Sequence, residues 1–324
     1  MSKLHNDSGF SLIELLVSMA VLLIVSSIVT TALLQMTHSQ TTIWNRTEMH
    51  SGIRGATELL QQEVGQAGRL STPTPVRLTE PVGAATSCDA ANPTLNAVEV
   101  GVTSIDGLFA TSGVNEAYEL MTTMDGDSQE TVKLAALNSA GPKITACFTK
   151  AHADDTLLMP MGAFATGVIP PTGVVNGSSA SVLKLYGDIN GDGNMVYVEY
   201  RCDTAAHNLY RNVMAFDAAS KPAVTDSEIL LSNIIDNPGG TPCFTYQTTS
   251  MIVQGTPFTF VLDVAVTLTV QTEQLDPVTK QYQTETKALL NVSPRNVYNA
   301  WMLAGMGYTD RIQSTPTSIT ALLP

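Results

Sequence analysis

Apolar and polar positions change rhythm three times along this chain. Residues 1–9 are short and polar, with Lys3 and His5; from Leu15 to Asn45 no Asp, Glu, Lys or Arg occurs, and Leu15–Leu34 is rich in Leu, Val, Ile, Ala and Met. An apolar run of about 20 residues is long enough to cross a bilayer as a helix. Beyond it the apolar positions thin to Met49, Ile53, Ala56, Leu60, Val64 and Ala67, spaced by three or four. Arg46, Glu48, Arg54, Glu58, Gln61, Gln62 and Glu63 lie between them. That spacing is one apolar stripe on a solvated helix. No helix breaker separates the two rhythms, so a single helix is predicted from Ser11 to Ala67, closed by Gly68 and about 85 Å long.

Downstream the period falls to two. Phe258, Phe260, Leu262, Val264, Val266, Leu268 and Val270 alternate with mostly polar or small residues, which predicts a half-buried antiparallel strand. After a polar turn with Asp276 and Pro277, Gln281–Val292 returns as its hairpin partner. A second hairpin is read from Met195–Asp203 and Leu209–Phe216, preceded by a strand over Ser181–Tyr186. Shorter candidates are Leu95–Val102, Ala117–Met124, Thr131–Leu137 and Lys143–Thr149, separated by Gly, Pro, Asn and Ser. The stripe of the helix and the apolar face of the sheet match each other. The expected class is therefore α+β: a long N-terminal helix packed on an antiparallel sheet head, with residues 70–180 as a large β-rich insertion. Loops carried on a rigid frame are where recognition usually sits.

Composition adds bounds. Of 324 residues, 44% are hydrophobic and 14% charged, and the part beyond the helix is large enough for one large or two small domains. A net charge of −13 argues against a surface that holds nucleic-acid phosphates nonspecifically, and no direct nucleic-acid binding is expected.

One carboxylate, Glu14, stands at the head of the apolar run. An ionisable group there costs a few kcal/mol unless it is paired, which makes it a functional candidate. The ordinary alternative is a side chain that snorkels to the interface. The leader, however, ends in Gly9 and the apolar run follows it, whereas a secretory signal places its apolar region before the cut. This order keeps the run in the mature chain.

Gly9-Phe10-Ser11-Leu12-Ile13-Glu14-Leu15-Leu16, ahead of a long uncharged stretch, resembles the signal of the type IV pilin family. The resemblance implies cleavage by prepilin peptidase between Gly9 and Phe10 and N-methylation of Phe10. It also implies that Glu14 pairs with the N-terminal amine of a neighbouring subunit during assembly. A carboxylate in hydrocarbon is best satisfied by a cation that a partner brings. Many major pilins carry a proline in the middle of the membrane half, where this chain has Thr30, Thr31 and Ala32, which favours a minor subunit. Ser26, Ser27, Thr30 and Thr31 can loosen the helix there by bonding back to preceding carbonyls. The hairpin at 195–216 and the stretch Ser293–Val297 resemble the larger minor pilins of the PilW group and the J-type pseudopilins of type II secretion systems.

The resemblance implies an anchor in the inner membrane with the head in the periplasm, then a place in a pilus at the cell surface. Its implied partners are other pilins, prepilin peptidase and the membrane; its implied roles are pilus assembly and hence twitching motility, adhesion or DNA uptake. The expected organisation is a leader at 1–9, a membrane and filament-core helix at 10–35, its amphipathic half at 36–69, the insertion at 70–180, the sheet head at 181–300 and a tail at 301–324.

The four cysteines, Cys88, Cys147, Cys202 and Cys243, fall in the exported part, and none forms the close pair a zinc site uses. Four cysteines allow three connectivities; sequence proximity favours Cys88 with Cys147 and Cys202 with Cys243. Asp188, Asn190, Asp192 and Asn194, with Gly191 and Gly193 between them and Glu199 twelfth from Asp188, match the spacing of a calcium loop. The flanks read as strands instead of helices, which would carry Glu199 roughly 15 Å past Asn194. An Asp/Asn/Gly turn without metal is the alternative. The alternative functional readings are a J-type pseudopilin of a type II secretion system and a calcium-dependent adhesin displayed on the pilus, with residues 70–180 as its binding surface. No catalytic motif is found: His5, His38, His50, His152 and His207 are isolated in sequence, and Asp154 with Asp155 is a lone acidic pair, so no enzyme activity is expected.

Overall fold

The computed structural model describes residues 11–69, 74–89, 92, 94–106, 108, 120–138, 140–161, 163–215, 218, 220, 221, 225–309, 312, 313, 315 and 319. Two compact units divide the chain: Met1–Gly52 with Gln271–Glu285, and Ile53–Val270 with Thr286–Pro324. One helix, α1 (Leu12–Gln66), contributes to both, within one residue of the predicted bounds at each end. Thr30 and Thr31 donate to the carbonyls of Ser26 and Ser27 at 2.8 Å, and the helix runs through this point unbroken.

In the first unit the apolar run of α1 is exposed on every side, from Leu12 to Met36. Water does not tolerate an apolar surface of that extent, and a bilayer or a neighbouring helix does. The rest of this unit is the connection Gln271–Glu285, held beside α1 by side chains. Asp276 accepts the Thr42 hydroxyl at 2.9 Å and the Gln283 amide at 2.8 Å, Arg46 donates to Gln283, and His50 pairs with Glu285. The backbone amides of Thr279 and Val278 also point at Asp276, and with the Thr42 hydroxyl they hold its carboxyl down at about 2.

In the second unit the stripe of α1 is buried: Ile53, Ala56, Leu60, Val64 and Ala67 are all 2% exposed or less. Strands β1 (Val76–Arg77), β2 (Val98–Gly101), β3 (Leu120–Thr123), β4 (Thr131–Asn138), β5 (Lys143–Ala146) and β6 (Leu157–Met161) form a six-stranded sheet in the order β1-β6-β3-β4-β5-β2. Its core, including Leu78, Met121, Leu134, Ile144 and Phe148, is drawn from residues 76–158 alone. The region expected to be an insertion is thus a layer with its own interior. The first three residues of the segment expected over Ala117–Met124 lie outside the described residues.

After β7 (Ala163–Phe164), strands β8 (Val182–Gly187), β9 (Val196–Asp203), β10 (Asn208–Ala215) and β11 (Ile229–Ser232) build an antiparallel sheet. Tyr186, Tyr197 and Met214 stand side by side in its register and pack with Phe164, Ile169 and Ile319. Tyr200 and Arg211, also paired across the ladder, reach α1 from the same sheet. Both faces are therefore covered, which is why β8 is buried over almost its whole length instead of alternating.

The last sheet joins β12 (Ile234–Ile235), β13 (Phe244–Val253), β14 (Thr256–Gln271) and β15 (Thr284–Val292), with β14 between its neighbours. The predicted Phe258–Val270 strand is β14 and its predicted partner is β15, but β14 also pairs along its length with β13, a strand rich in Thr, Ser and Gln. A second helix, α2 (Arg295–Gly305), follows β15 and starts within the stretch Ser293–Val297. Val297, Ala300 and Ala304 pack it against Val253 and Phe260. A short β16 (Ile312–Gln313) pairs in parallel with β7.

The exit of α1 is a close backbone crossing. Gly68 has φ +77° and donates to the Tyr186 carbonyl at 2.9 Å, while Tyr186 donates to the Gly167 carbonyl at 2.9 Å. A Cβ on Gly167 would lie 2.1 Å from the Gly68 nitrogen, so backbone has to move to admit it. Gly167→Ala is expected to lower stability by about 1–3 kcal/mol, seen as a reduced thermal midpoint. An unchanged midpoint would show that the crossing yields easily.

The structure pairs Cys88 with Cys147 and Cys202 with Cys243. The second bridge ties β9 to the residue that precedes β13, across a separation of 41 residues. Replacing both members by Ala is expected to cost about 2–5 kcal/mol. Comparing denaturant midpoints of the oxidised and substituted chains checks this.

Candidate functional site

Gly9 and Phe10 lie outside the described residues; the site is seen from Ser11 onward. Glu14 occupies the first turn of α1, and its Oε2 accepts the Ser11 N–H at 3.0 Å. In return the Ser11 hydroxyl accepts the Ile13 N–H at 3.3 Å. These two bonds satisfy donors that a helix start leaves without intrahelical partners. Ser11-x-x-Glu14 has the spacing of a capping box. Glu14 therefore has a partner within its own chain, and its negative charge sits at the positive end of a helix. The carboxylate keeps its second oxygen for a further donor, such as an amine brought alongside.

The loop from Asp188 to Asn194 connects β8 to β9. Asp188 is buried and turns its carboxylate inward, accepting the N–H groups of Asp192 at 3.1 Å and Gly193 at 3.4 Å. Its own N–H donates to the Arg69 carbonyl at 2.7 Å, and the Arg69 guanidinium lies 3.9 Å from its Oδ2. Asp192 accepts the N–H of Asn194 at 2.9 Å. Asn190, Asp192 and Asn194 are exposed.

Glu199 does not join this loop, which corrects its assignment as the closing ligand. The ladder pairs Gly187 with Val196 at the mouth of the loop but Lys184 with Glu199, three positions away, about 10 Å. Glu199 is buried, accepts the Tyr197 hydroxyl at 2.8 Å and pairs with Lys221 at 2.5 Å. Lys184 faces it from β8, donating to the Asn176 carbonyl at 2.9 Å, and burial lowers its ammonium from the usual range. The arrangement does not fit a five-ligand calcium site: Glu199 is spent on an ammonium, and the Asp188 oxygens are spent on backbone amides. Among the described residues no three His, Cys, Asp or Glu side chains converge as metal ligands do.

Two further buried polar clusters were not legible as such. Glu63, expected on the solvated side of the helix, is instead buried and bridges Tyr200 and Arg211. His152 is not isolated: its ring is buried between Asp125 at 2.9 Å and Glu130 at 2.8 Å. Burial pushes Glu130 up, but the Thr149 hydroxyl, His152 and the amides of Thr149 and Lys150 together hold it below the usual carboxylate range. With a carboxylate at each ring nitrogen, His152 crosslinks the β3–β4 connection to the segment after β5.

A family model described as the prokaryotic N-terminal methylation motif matches residues 4–30. No curated protein and no solved structure matches the chain. The matched residues take in the Gly9–Phe10 junction, Glu14 and most of the apolar run, and α1 is long and apolar enough to cross a membrane. The motif, with the apolar helix it opens, marks this chain as a type IV pilin-like substrate of prepilin peptidase, anchored in the inner membrane before pilus-type assembly with other pilins.

Proposed function

We propose that this chain is a minor pilin of the PilW type, a structural subunit without enzymatic activity whose head stands in the periplasm before assembly. The reading rests on one observation: the methylation motif with its Gly9–Phe10 junction, followed four residues later by Glu14 in the first turn of a helix of 55 residues. Processing releases a new amine on Phe10 while leaving the apolar run in place. The run then exchanges lipid for other helices, and Glu14 offers the anion that an incoming amine requires. The α+β head on a continuous helix suits the pilin fold.

Deletion of the gene tests the assignment. Loss of surface pili and twitching with protein secretion intact is the expected result; loss of secretion with normal pili would reassign the chain as a J-type pseudopilin. A displayed binding module is a second reading, favoured by the separate interior of the sheet within residues 76–161. Binding of purified filaments to host glycans, lost when that sheet is removed, would support it.

Calcium is proposed only for the exposed part of the loop, with oxygens from Asn190, Asp192 and Asn194, and without Glu199 and the Asp188 carboxylate, which are committed elsewhere. So few ligands imply weak binding, with a Kd of about 10⁻⁴–10⁻³ M. Calorimetry with calcium on the full chain in detergent should give heat that Asp192→Ala removes; no heat from the unaltered protein would end the proposal.

A further inference from the structure

The connection between β14 and β15 has a defined height on α1. Its contacts run in order along the helix: Glu285 meets His50, Gln283 meets Arg46 and Asp276 meets Thr42. Following the connection from Glu285 back to Asp276 descends α1 by eight residues, about 12 Å, toward the apolar run. Val278 is two residues past Asp276 and therefore within about 7 Å of it.

The membrane sets what that height means. From Leu15 to Asn45 α1 carries no Asp, Glu, Lys or Arg. That stretch is about 46 Å of helix, against about 40–45 Å for a bilayer with both headgroup layers. Leu15–Leu34 fills the hydrocarbon core, and the polar Gln35, His38, Ser39 and Gln40 place the rest of the stretch in the outer headgroup layer, where Thr37 and Thr41 also bond back to the carbonyls of Leu33 and Thr37 at 2.9 and 3.0 Å. Thr42 and Trp44 then stand at the outer headgroup level.

Exposed apolar side chains gather at this height. Ile43 and Trp44 are 63% and 73% exposed on the helix, and Leu275, Val278 and Tyr282 are 47%, 74% and 48% exposed on the connection. Trp and Tyr are the side chains that collect at bilayer interfaces. Asp276, the carboxylate within the turn, is withdrawn from lipid by its hydrogen bonds to Thr42, Gln283, Val278 and Thr279. The exposed Glu273 and Lys280 carry opposite charges, so the surface suits apolar and aromatic contact with lipid more than attraction to anionic headgroups.

We propose that the 275–282 turn is a membrane foot: Leu275, Val278 and Tyr282 enter the outer headgroup layer of the bilayer that α1 spans, at the height of Trp44 and on the opposite side of the helix. The proposal rests on the membrane-anchored state of the chain. The foot engages lipid before assembly and is withdrawn when the subunit leaves the membrane.

All four native cysteines are in disulfides, so Val278→Cys gives a single site for a nitroxide in the full chain. The chain is reconstituted in phosphatidylcholine vesicles, with Ile24→Cys as the lipid reference and Val175→Cys, also highly exposed, as the water reference. Collision with oxygen and with a water-soluble nickel chelate reads the depth of each label. The label at 278 is expected to be several-fold less accessible to nickel than that at 175, and close to one placed by Trp44→Cys. A label at 278 as accessible as at 175, with 24 in lipid, overturns the foot alone. Position 24 in water overturns the anchor and the foot together. Shielding that vanishes in nanodiscs holding one copy assigns the turn to a contact between subunits and overturns the lipid proposal.

Discussion

Glu14→Gln is expected to insert into the membrane and undergo processing as the unaltered chain does, yet to reach the filament fraction roughly 100-fold less. The magnitude follows from the few kcal/mol that a charge in hydrocarbon gains from a partner cation, at 1.4 kcal/mol per tenfold. Glutamine is chosen because Glu14 has two separable roles. As a cap it accepts the Ser11 N–H at 3.0 Å, which the amide oxygen of glutamine also does. As an anion it would, in the proposed function, attract the new amine of a neighbouring subunit, which glutamine cannot. Glu14→Ala removes both roles and should add only about 1 kcal/mol of helix fraying to the assembly defect. Quantifying the subunit in sheared filaments and in membranes separates these cases. Normal assembly of Glu14→Gln together with failure of Glu14→Ala would make Glu14 a helix cap and nothing more.

The legible parts of this fold were those with a local period. The α1 stripe announces itself at three- and four-residue spacing, and every apolar member of it is buried. β14 and the β9–β10 hairpin announce themselves by alternation or by β-branched and aromatic density. β13 did not, because Thr245, Gln247, Thr248, Thr249 and Ser250 make it read as polar loop; its partner β14 holds it in the sheet. α2 was hidden behind Pro294, which ends a strand and equally well begins a helix. The calcium spacing was visible, but the spacing alone could not say which way Glu199 points. That is decided by Lys221 and Tyr197, and the lysine is 22 residues away in sequence.

Glu63 is the clearest case of a residue whose role is set from far along the chain, and it carries the largest stability effect expected here. On the helix it sits among Gln61, Gln62 and Val64, and its neighbours in sequence give it a solvated reading. In the structure it is 3% exposed and faces Arg211, 148 residues away, whose Nε lies 3.1 and 3.2 Å from its two oxygens. Tyr200, opposite Arg211 in the β9–β10 ladder, donates its hydroxyl to the same carboxylate, and burial followed by the Glu63 charge pushes that phenol up and keeps it protonated. A buried carboxylate with its cation removed is an uncompensated charge. Arg211→Met is therefore expected to destabilise by about 3–5 kcal/mol. For a unit of this size that is about 6–20 °C in thermal midpoint. Removing both charges is a different matter, since an apolar pair forfeits the attraction and avoids the desolvation together. Glu63→Leu with Arg211→Met and Tyr200→Phe should regain most of the loss, while Glu63→Leu alone leaves Arg211 half-served and falls between. Thermal unfolding of the four proteins, followed by near-ultraviolet tyrosine signal, shows how much of the loss is regained; adding the Glu63→Leu, Arg211→Met double variant closes the cycle for the ion pair. A loss below about 1 kcal/mol for Arg211→Met would mean that water reaches Glu63 and that the bridge between helix and sheet is a surface contact.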